Sequence, residues 1–524
     1  MAASQAKKIG IASLIMMGSV FLSRVIGLFR EMVISHIGGA SWAVDAYQIA
    51  FVIPEILNHV LASGFLSITF IPIFSKYLSE GNESEGWRVF SIIMTLFSLT
   101  LVLLICILMA GARDLVLIVA PQVKNPAVIE GAVRMTRIIL PAQLFFFMGG
   151  LFMAVQFAKG RFLFPAVAPL VYNLGIIVGG YFLSPFIGME GFSWGMIGGA
   201  FVGNFLIQYM GAKKAGMRFK PIVAIHHPEL LTYMKLTLPL MIGLSVTFST
   251  EFLMKFFGSS LAEGSIAKLN YAYRVMLMLA GFFGQAVGAA TYPFLSRLAS
   301  AGQHEEMAGL LANTLKAISV VIPFSVLFMV LRTELIQTLF QHGKFDAADT
   351  QATASALFFL LIGAVAFTAQ SVVSRGFYAL QNTLYPTLVN TLAMIGCLPL
   401  FYLGTRFMGI NGLALAASMA AILQTLILYI LWTRKHPGKT KSSLAGFYLK
   451  VILVSAGIGA LLECFNRYVL RACAPPTLWG NLLVSLATGV IFLVMLMGAA
   501  YLFKLDEVRE AVERVLKKMR LLPR

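Results

Sequence analysis

Apolar runs of about 20 residues, each enough to cross a hydrocarbon core about 30 Å thick, recur along this chain. They begin near Ile9, Val44, Val89, Val128, Leu163, Phe192, Leu230, Ser265, Gly309, Thr353, Leu384, Ile410, Ala445 and Trp479. The pattern predicts an all-α, polytopic membrane protein with fourteen transmembrane helices. The second run is the least regular: it extends from Val44 to Leu78 and holds Pro54 and Pro72, so a helical hairpin outside the bilayer is the alternative there. Lys7 and Lys8 before the first run resemble a secretory signal. The run continues through Ser23-Arg24 into more apolar sequence instead of ending at a small-residue cleavage site, so it reads as a retained helix.

Composition agrees, with 59% hydrophobic and 12% charged residues in 524. The excess of 40 Lys+Arg over 22 Asp+Glu points to nucleic acid only until the charges are placed. With a cytoplasmic amino terminus, 23 of the 40 fall on inner loops or tails, 8 on outer loops and 9 within spans. That is the positive-inside distribution, with both termini cytoplasmic; no nucleic-acid partner is expected. The tail after Lys504 places Val508, Val512, Val515, Met519 and Leu522 on one helical stripe, with Arg514, Lys517, Lys518 and Arg520 around it. Such a helix suits anionic lipids of the inner leaflet, with a frayed, solvated helix as the alternative. Four scattered cysteines give neither a disulfide framework nor a metal site; Cys106, Cys397 and Cys464 lie in spans, and Cys473, in an outer loop near Cys464, leaves a bridge between those two open.

Shifted by 221 residues, the chain matches itself. "PIFSKYLSEG" (72–81) lies over "PFLSRLASAG" (293–302), and at the same shift Pro165 meets Pro386, Gly175 meets Gly396, Gly188 meets Gly409 and Gly191 meets Gly412. Each copy holds six spans, and an even number returns the chain to its starting side, so the copies are parallel, as in transporter halves that rock against each other. The expected organisation is a six-helix lobe over 1–220, a second over 221–440, helices 13 and 14 over 441–503, and the basic amphipathic tail over 504–524.

A charge at the bilayer centre costs about 2.5 to 3.5 kcal/mol on insertion scales, so an intramembrane charge usually faces a cavity or a partner. Lys235, Lys316 and Lys450, near inner helix ends, and Arg134 and Arg137, near an outer end, can snorkel. Glu251 and Lys255 stand four apart in the order that favours an intrahelical pair; either they neutralise each other or Lys255 touches a ligand. Arg24, Arg30 and Arg274 remain, with Glu31 the one nearby acid. On a regular helix Glu31 falls within about 20° of Arg24 and Arg30 points about 120° away. These arginines either cap buried carbonyls or pair with Asp45, or they grip an anion, since guanidinium forks match phosphate oxygens and keep their charge when partly desolvated. On the second reading a phosphate held by Arg24, Arg30 and Arg274 bridges the two copies.

"SRVIGLFRE" (23–31), "DAYQIAFVIPEIL" (45–57), "NYAYR" (270–274), "LFQHGKF" (339–345) and "GFYALQNT" (376–383) together resemble the MurJ/MviN proteins, lipid II flippases of the multidrug/oligosaccharidyl-lipid/polysaccharide exporter superfamily. The resemblance covers essentially the whole chain. It implies a polyprenyl diphosphate substrate with a sugar-peptide head, alternating access, a cavity lined by helices 1, 2, 7 and 8, and a groove for the lipid tail along helices 13 and 14. It carries the family's arginines over to Arg24, Arg30 and Arg274, with Glu31 for the usual aspartate and Asp45 matching an aspartate. This chain departs from the family at Asn58-His59, where an arginine is usual, at Tyr273 before Arg274, and at Met254, where some relatives have a sodium-binding aspartate.

The expected function is therefore a flippase, with Arg24, Arg30, Arg274, Glu31, Lys255, Asn58, His59 and Asp45 as substrate-binding residues and no catalytic or metal-binding residue. No cofactor is expected, sodium or proton coupling stays open, and the protein is expected to be a monomer in the bacterial cytoplasmic (inner) membrane. A flippase for another polyprenyl-linked glycan, a cation-coupled drug exporter and a membrane glycan polymerase or ligase are the alternatives. The exporter would want acidic residues in its cavity, and the enzyme would draw on Asp114, Glu130, Asp346 and Asp349 as acids or bases. "KFDAADT" (344–350) reads more simply as a helix-start cap, and no Walker-type run is present.

Overall fold

The computed structural model describes residues 2–61, 65–245, 249–382, 384–435, 441–471, 477–503 and 509. Cys473 and all of the expected tail helix except Arg509 lie outside them. The described residues are helical almost throughout, and each of the fourteen apolar runs falls on a helix or a short series of helices. Among the described residues seven helices are long and apolar enough to cross a membrane, and the pair Ala347–Ile362 and Ala364–Ala379, bent by 42°, makes an eighth if it is one span. One of the seven, Tyr385–Lys435, breaks at Gly409 and so covers two expected runs. The second run is divided into Trp42–Ala50, Val52–Leu61 and Phe65–Ser79, and the seventh into Pro228–Ser245 and Ser249–Gly258.

The backbone repeats the duplication. Gly81 and Gly302 end helices at φ +71° and +69°. Gly188 and Gly409 sit at φ +59°, ψ −140° and φ +56°, ψ −131°, a region that a Cβ closes to other residues. Gly160, at φ +67°, is matched 221 residues on by Gln381 at φ +58°, the one non-glycine with positive φ among the described residues. Three turns thus keep the same handedness in both copies.

The chain divides into two compact units, Met1–Ala267 and Lys268–Arg524. The division falls later than the duplication boundary near 220, because the helix that begins the second copy packs into the first unit. There Tyr233 is fully buried, its ring 5.2 Å from that of Phe97, and the hydroxyls of Thr237 and Thr69 lie 3.0 Å apart. The core of this unit is aromatic: Phe70, Phe74, Trp87, Phe90, Phe147 and Phe152 are all buried within it. Beside it, Leu163–Ile187 and Glu190–Gly199 touch backbone to backbone. A Cβ on Gly175 would lie 2.4 Å from the Gly199 Cα, and one on Gly179 2.2 Å from the Gly195 Cα. Small residues at four-residue spacing let membrane helices approach this closely.

In the second unit, Ile322, Leu327, Val330, Val451, Leu462, Phe492 and Leu496 form one core, which fastens Lys441–Phe465 and Leu478–Leu502 to Val321–Val330. The last helix turns Leu483, Leu486, Val490 and Val494 outward, each more than 60% exposed, the signature of a lipid-facing stripe. Exposed Trp479 and Tyr501 stand near its ends, about 33 Å apart at 1.5 Å per residue. That separation puts one aromatic at each membrane interface.

Candidate functional site

Arg30, on the helix Ala2–Gly38, is held from two sides. Its guanidinium donates to Glu31 Oε1 at 2.6 Å and to Asn173 Oδ1 at 3.1 Å. Asn173 belongs to Leu163–Ile187, and its amide orientation is fixed because Nδ2 donates to the Pro169 carbonyl at 2.9 Å and to Ser23 Oγ at 3.3 Å. The chain Ser23–Asn173–Arg30–Glu31 therefore ties two membrane helices together through polar groups, where a bond left unmade would be costly. Glu31 and Asn173 are buried, and the Arg30 side chain keeps 18% of its surface.

Glu31 thus neutralises its neighbour Arg30, not Arg24, the arginine on its own helical face. Arg24 is exposed and makes no hydrogen bond or ion pair with any described residue. One fixed, neutralised arginine and one unpaired arginine lie within two turns of a helix in an otherwise apolar stretch.

Asp45 has a structural task. Its carboxylate accepts the N–H of Gly264 at 2.6 Å and of Ala267 at 2.8 Å, at the start of the helix Ser265–Ser300. This supplies from a distant helix the acceptor that an N-terminal turn lacks. Gly264 is required beside it: its φ is +79°, and a Cβ there would lie 2.0 Å from the Ala40 carbonyl oxygen.

Lys255 is buried on Ser249–Gly258 and pairs with Glu251 at 3.5 Å, the intrahelical pair that the spacing allows. Asn58 is half-buried on Val52–Leu61; the side chain of His59 lies outside the described residues. In the second unit, Arg274 is half-buried on Ser265–Ser300, surrounded in sequence by core residues. Tyr271 is fully buried, its ring 5.0 Å from Phe340 and 5.6 Å from Phe345, and Tyr273 lies 6.0 Å from Phe367. The aromatics of "NYAYR" and "LFQHGKF" therefore meet as packing, on the same helix that carries Arg274. Similarly, Gly376 and Phe377 of "GFYALQNT" pack on Trp432, with the Phe377 and Trp432 rings 5.1 Å apart.

The carboxylates that an enzyme would use at the 341–349 connection are engaged locally. Asp346 and Asp349 form a reciprocal capping box, and Lys268 pairs with Asp349 at 3.0 Å. Arg134 pairs with Glu190 at 2.6 Å, and Arg137 donates to the Met109 carbonyl. Sequence reasoning missed Asn173 and Ser23. The signal available was a buried-span asparagine four residues after a proline, since polar residues within spans call for a functional reading.

A family model described as lipid II flippase MurJ matches residues 34–478. The lipid II flippase MurJ of Burkholderia cenocepacia is 28% identical over 458 residues, covering 85% of this chain and 89% of the relative. A probable lipid II flippase MurJ of Bdellovibrio bacteriovorus is 25% identical over 510 residues, covering 96% of both. Among solved structures, a lipid II flippase MurJ in an inward closed conformation superposes with a TM-score of 0.76 at 23% identity, covering 93% of this chain and 99% of that one. An inward-facing multidrug resistance MATE transporter of the MOP superfamily gives 0.66 at 14% identity, covering 80% and 96%. These superpositions concern the fold.

Proposed function

The chain belongs to the MurJ family of lipid II flippases, and from that premise we propose that it carries a polyprenyl diphosphate-linked sugar-peptide from the inner to the outer leaflet of the cytoplasmic membrane by alternating access. It is a multi-pass bacterial membrane transporter, and the substrate is a lipid-linked one. The observation that carries the site assignment is the pair Arg30 and Arg24: one guanidinium fixed by Asn173 and Glu31, the other exposed and unpaired among the described residues. An uncompensated arginine on a membrane helix is costly unless it meets an anion or water. A diphosphate answers that need, because Arg24 gives it a bidentate fork and Arg30 a fixed one. Arg274 is the third arginine that the family resemblance assigns to the diphosphate. Lys255 and Asp45 act structurally, through Glu251 and through the helix start at Gly264 and Ala267.

The hydrocarbon tail stays in lipid while the head group crosses. Moving an anion out of an inside-negative cell gains about 2.3 kcal/mol per charge per 100 mV, so no nucleotide is needed to drive the step. Arg24→Ala, Arg30→Ala and Arg274→Ala are each expected to abolish rescue of a flippase-depleted cell, Arg24→Ala at unchanged protein abundance. Mass spectrometry of the lipid copurifying with the wild type should find a polyprenyl diphosphate, depleted in Arg24→Ala. Normal rescue by all three variants would overturn the assignment.

A further inference from the structure

At one end of the second unit, the short helix Arg332–Phe340 and the helix Ala347–Ile362 line an open cavity of about 300 Å³. Arg332, Thr333, Gln351 and Ser355 form its polar wall, and Phe358 and Phe359 its apolar floor. The side chains of Thr333, Gln351 and Ser355 make no hydrogen bond with any described residue, so three donors face the cavity unused. The Arg332 guanidinium lies 5.6 Å from the centre of the Phe358 ring, donates to the Met329 carbonyl, and faces Glu463 through two contacts of 3.4 Å. The Arg332 and Glu463 side chains are 30% and 40% exposed. A long, solvent-reachable ion pair of this kind holds its partners weakly, and the remaining guanidinium donors can take a further oxygen.

The cavity has a polar end and an apolar end, in an order set by depth. Asp346 caps the helix at its aqueous end. At 1.5 Å per residue, Gln351 lies about 8 Å along the helix from that cap and Phe358 about 18 Å. The polar layer on each side of a bilayer is about 5 to 8 Å thick, so Gln351 falls near the ester level and Phe358 in hydrocarbon. Gln351, Ser355, Phe358 and Ile362 share one helical face. Phe358 and Ile362 are each 37% exposed and continue the stripe beyond the cavity.

We propose that this cavity is a binding site for a glycerophospholipid of the leaflet at that end, the outer one by the distribution of basic residues among the loops. The phosphodiester takes Arg332, the ester oxygens accept from Thr333, Gln351 and Ser355, and an acyl chain follows Phe358 and Ile362. Glu463 beside Arg332 matches an ammonium headgroup, so a zwitterionic phosphatidylethanolamine satisfies both charges. A free phosphate would leave the aromatic floor and the Ile362 stripe without a partner.

The test uses the full chain, purified in detergent and stripped of lipid. Added dioleoyl phosphatidylethanolamine in mixed micelles is expected to raise the melting midpoint of the wild type by several degrees, and inorganic phosphate is not. Arg332→Ala should lose the shift. So should Ser355→Phe, which fills the cavity and leaves the Arg332–Glu463 pair untouched; midpoints without lipid show that each variant folds. In parallel, a benzophenone amino acid at exposed position 351 should cross-link to the lipid. The same shift in both variants, an equal shift with inorganic phosphate, or no cross-link at position 351 would overturn the proposal.

Discussion

The two copies of the duplicated bundle agree where the chain turns and differ where its helices meet. Gly81 and Gly302, and Gly188 and Gly409, keep the same left-handed backbone 221 residues apart. In the first copy Gly175 and Gly179 press against Gly199 and Gly195; the corresponding positions of the second copy are Gly396, Leu400, Ala420 and Ala416. There the close backbone approach is between Gly404 and Gly412, next to the turn. A turn needing positive φ strongly favours glycine, and Gln381 opposite Gly160 is the exception here. A helix interface has many solutions, because a wider separation can be refilled with larger side chains. Duplication therefore preserved the topology and left the packing free to diverge.

The sharpest break between the copies should appear at Gly175 and its counterpart Gly396. A Cβ on Gly175 would lie 2.4 Å from a backbone atom, whereas one on Gly396 meets nothing within 4 Å. Gly175→Ala is expected to destabilise by about 1 to 3 kcal/mol, the usual range for overpacking. Gly396→Ala should be neutral or stabilising by up to about 1 kcal/mol, from helix propensity alone. Thermal unfolding of the two variants side by side measures this. Equal losses would mean that the glycine contact does not distinguish the copies.

A smaller effect separates Gly160 from Gln381. Both occupy the left-handed region, at φ +67° and +58°, after the helices Ala142–Ala158 and Ala364–Ala379. The space around Gly160 is open, so Gly160→Ala has a backbone cost of about 1 kcal/mol and no clash. Gln381→Gly relieves that strain and should stabilise by up to about 1 kcal/mol, less the entropy that glycine returns to the unfolded chain. Melting midpoints moving in opposite directions are the expected result. Movement in one direction would show that the two turns are not energetic equivalents.

The features legible in the sequence were those written in residue identity. The apolar runs, the register of the duplication and the Asp346–Asp349 cap each depend on residues close together or identically spaced, so the chain states them directly. The arginines stood out because charge is rare in a span. What they touch was not legible. A helical wheel sets Glu31 under Arg24, yet the long Arg30 side chain reaches back to its neighbour. Asp45 serves a helix start 219 residues away, a contact that no local pattern encodes. Asn173 stands out in its run only as a polar residue within a span, and nothing there names Arg30 as the group it aims. The motif aromatics, including Tyr271 and Phe340, were legible as a family signature, but their task of packing on one another appears only when distant segments meet.

The smallest contrast between the copies is a matter of pH. Glu83 begins the helix Glu83–Ala110, ahead of the apolar run that starts near Val89. It accepts hydrogen bonds from Lys159 and from Trp87 Nε1, the latter at 3.0 Å, and Lys159 lies over the Trp87 ring. In the second copy the corresponding residues are His304, Leu380 and Ala308, which cannot form this arrangement. The hydrogen bond from Lys159, together with its charge, holds the Glu83 carboxyl below its ordinary pKa of 4.5. A carboxylate with a lowered folded-state pKa adds stability that is present above the unfolded value and lost as pH falls through the folded one. The Glu83 side chain is 47% exposed, so solvent screening limits the gain to under about 1 kcal/mol. Between pH 7 and pH 4, the melting midpoint of Glu83→Gln should therefore fall less than that of the wild type. His304→Gln, the matched change in the second copy, should leave that acid difference in place. Parallel acid profiles for the wild type and Glu83→Gln would mean that this cluster does not set the copies apart.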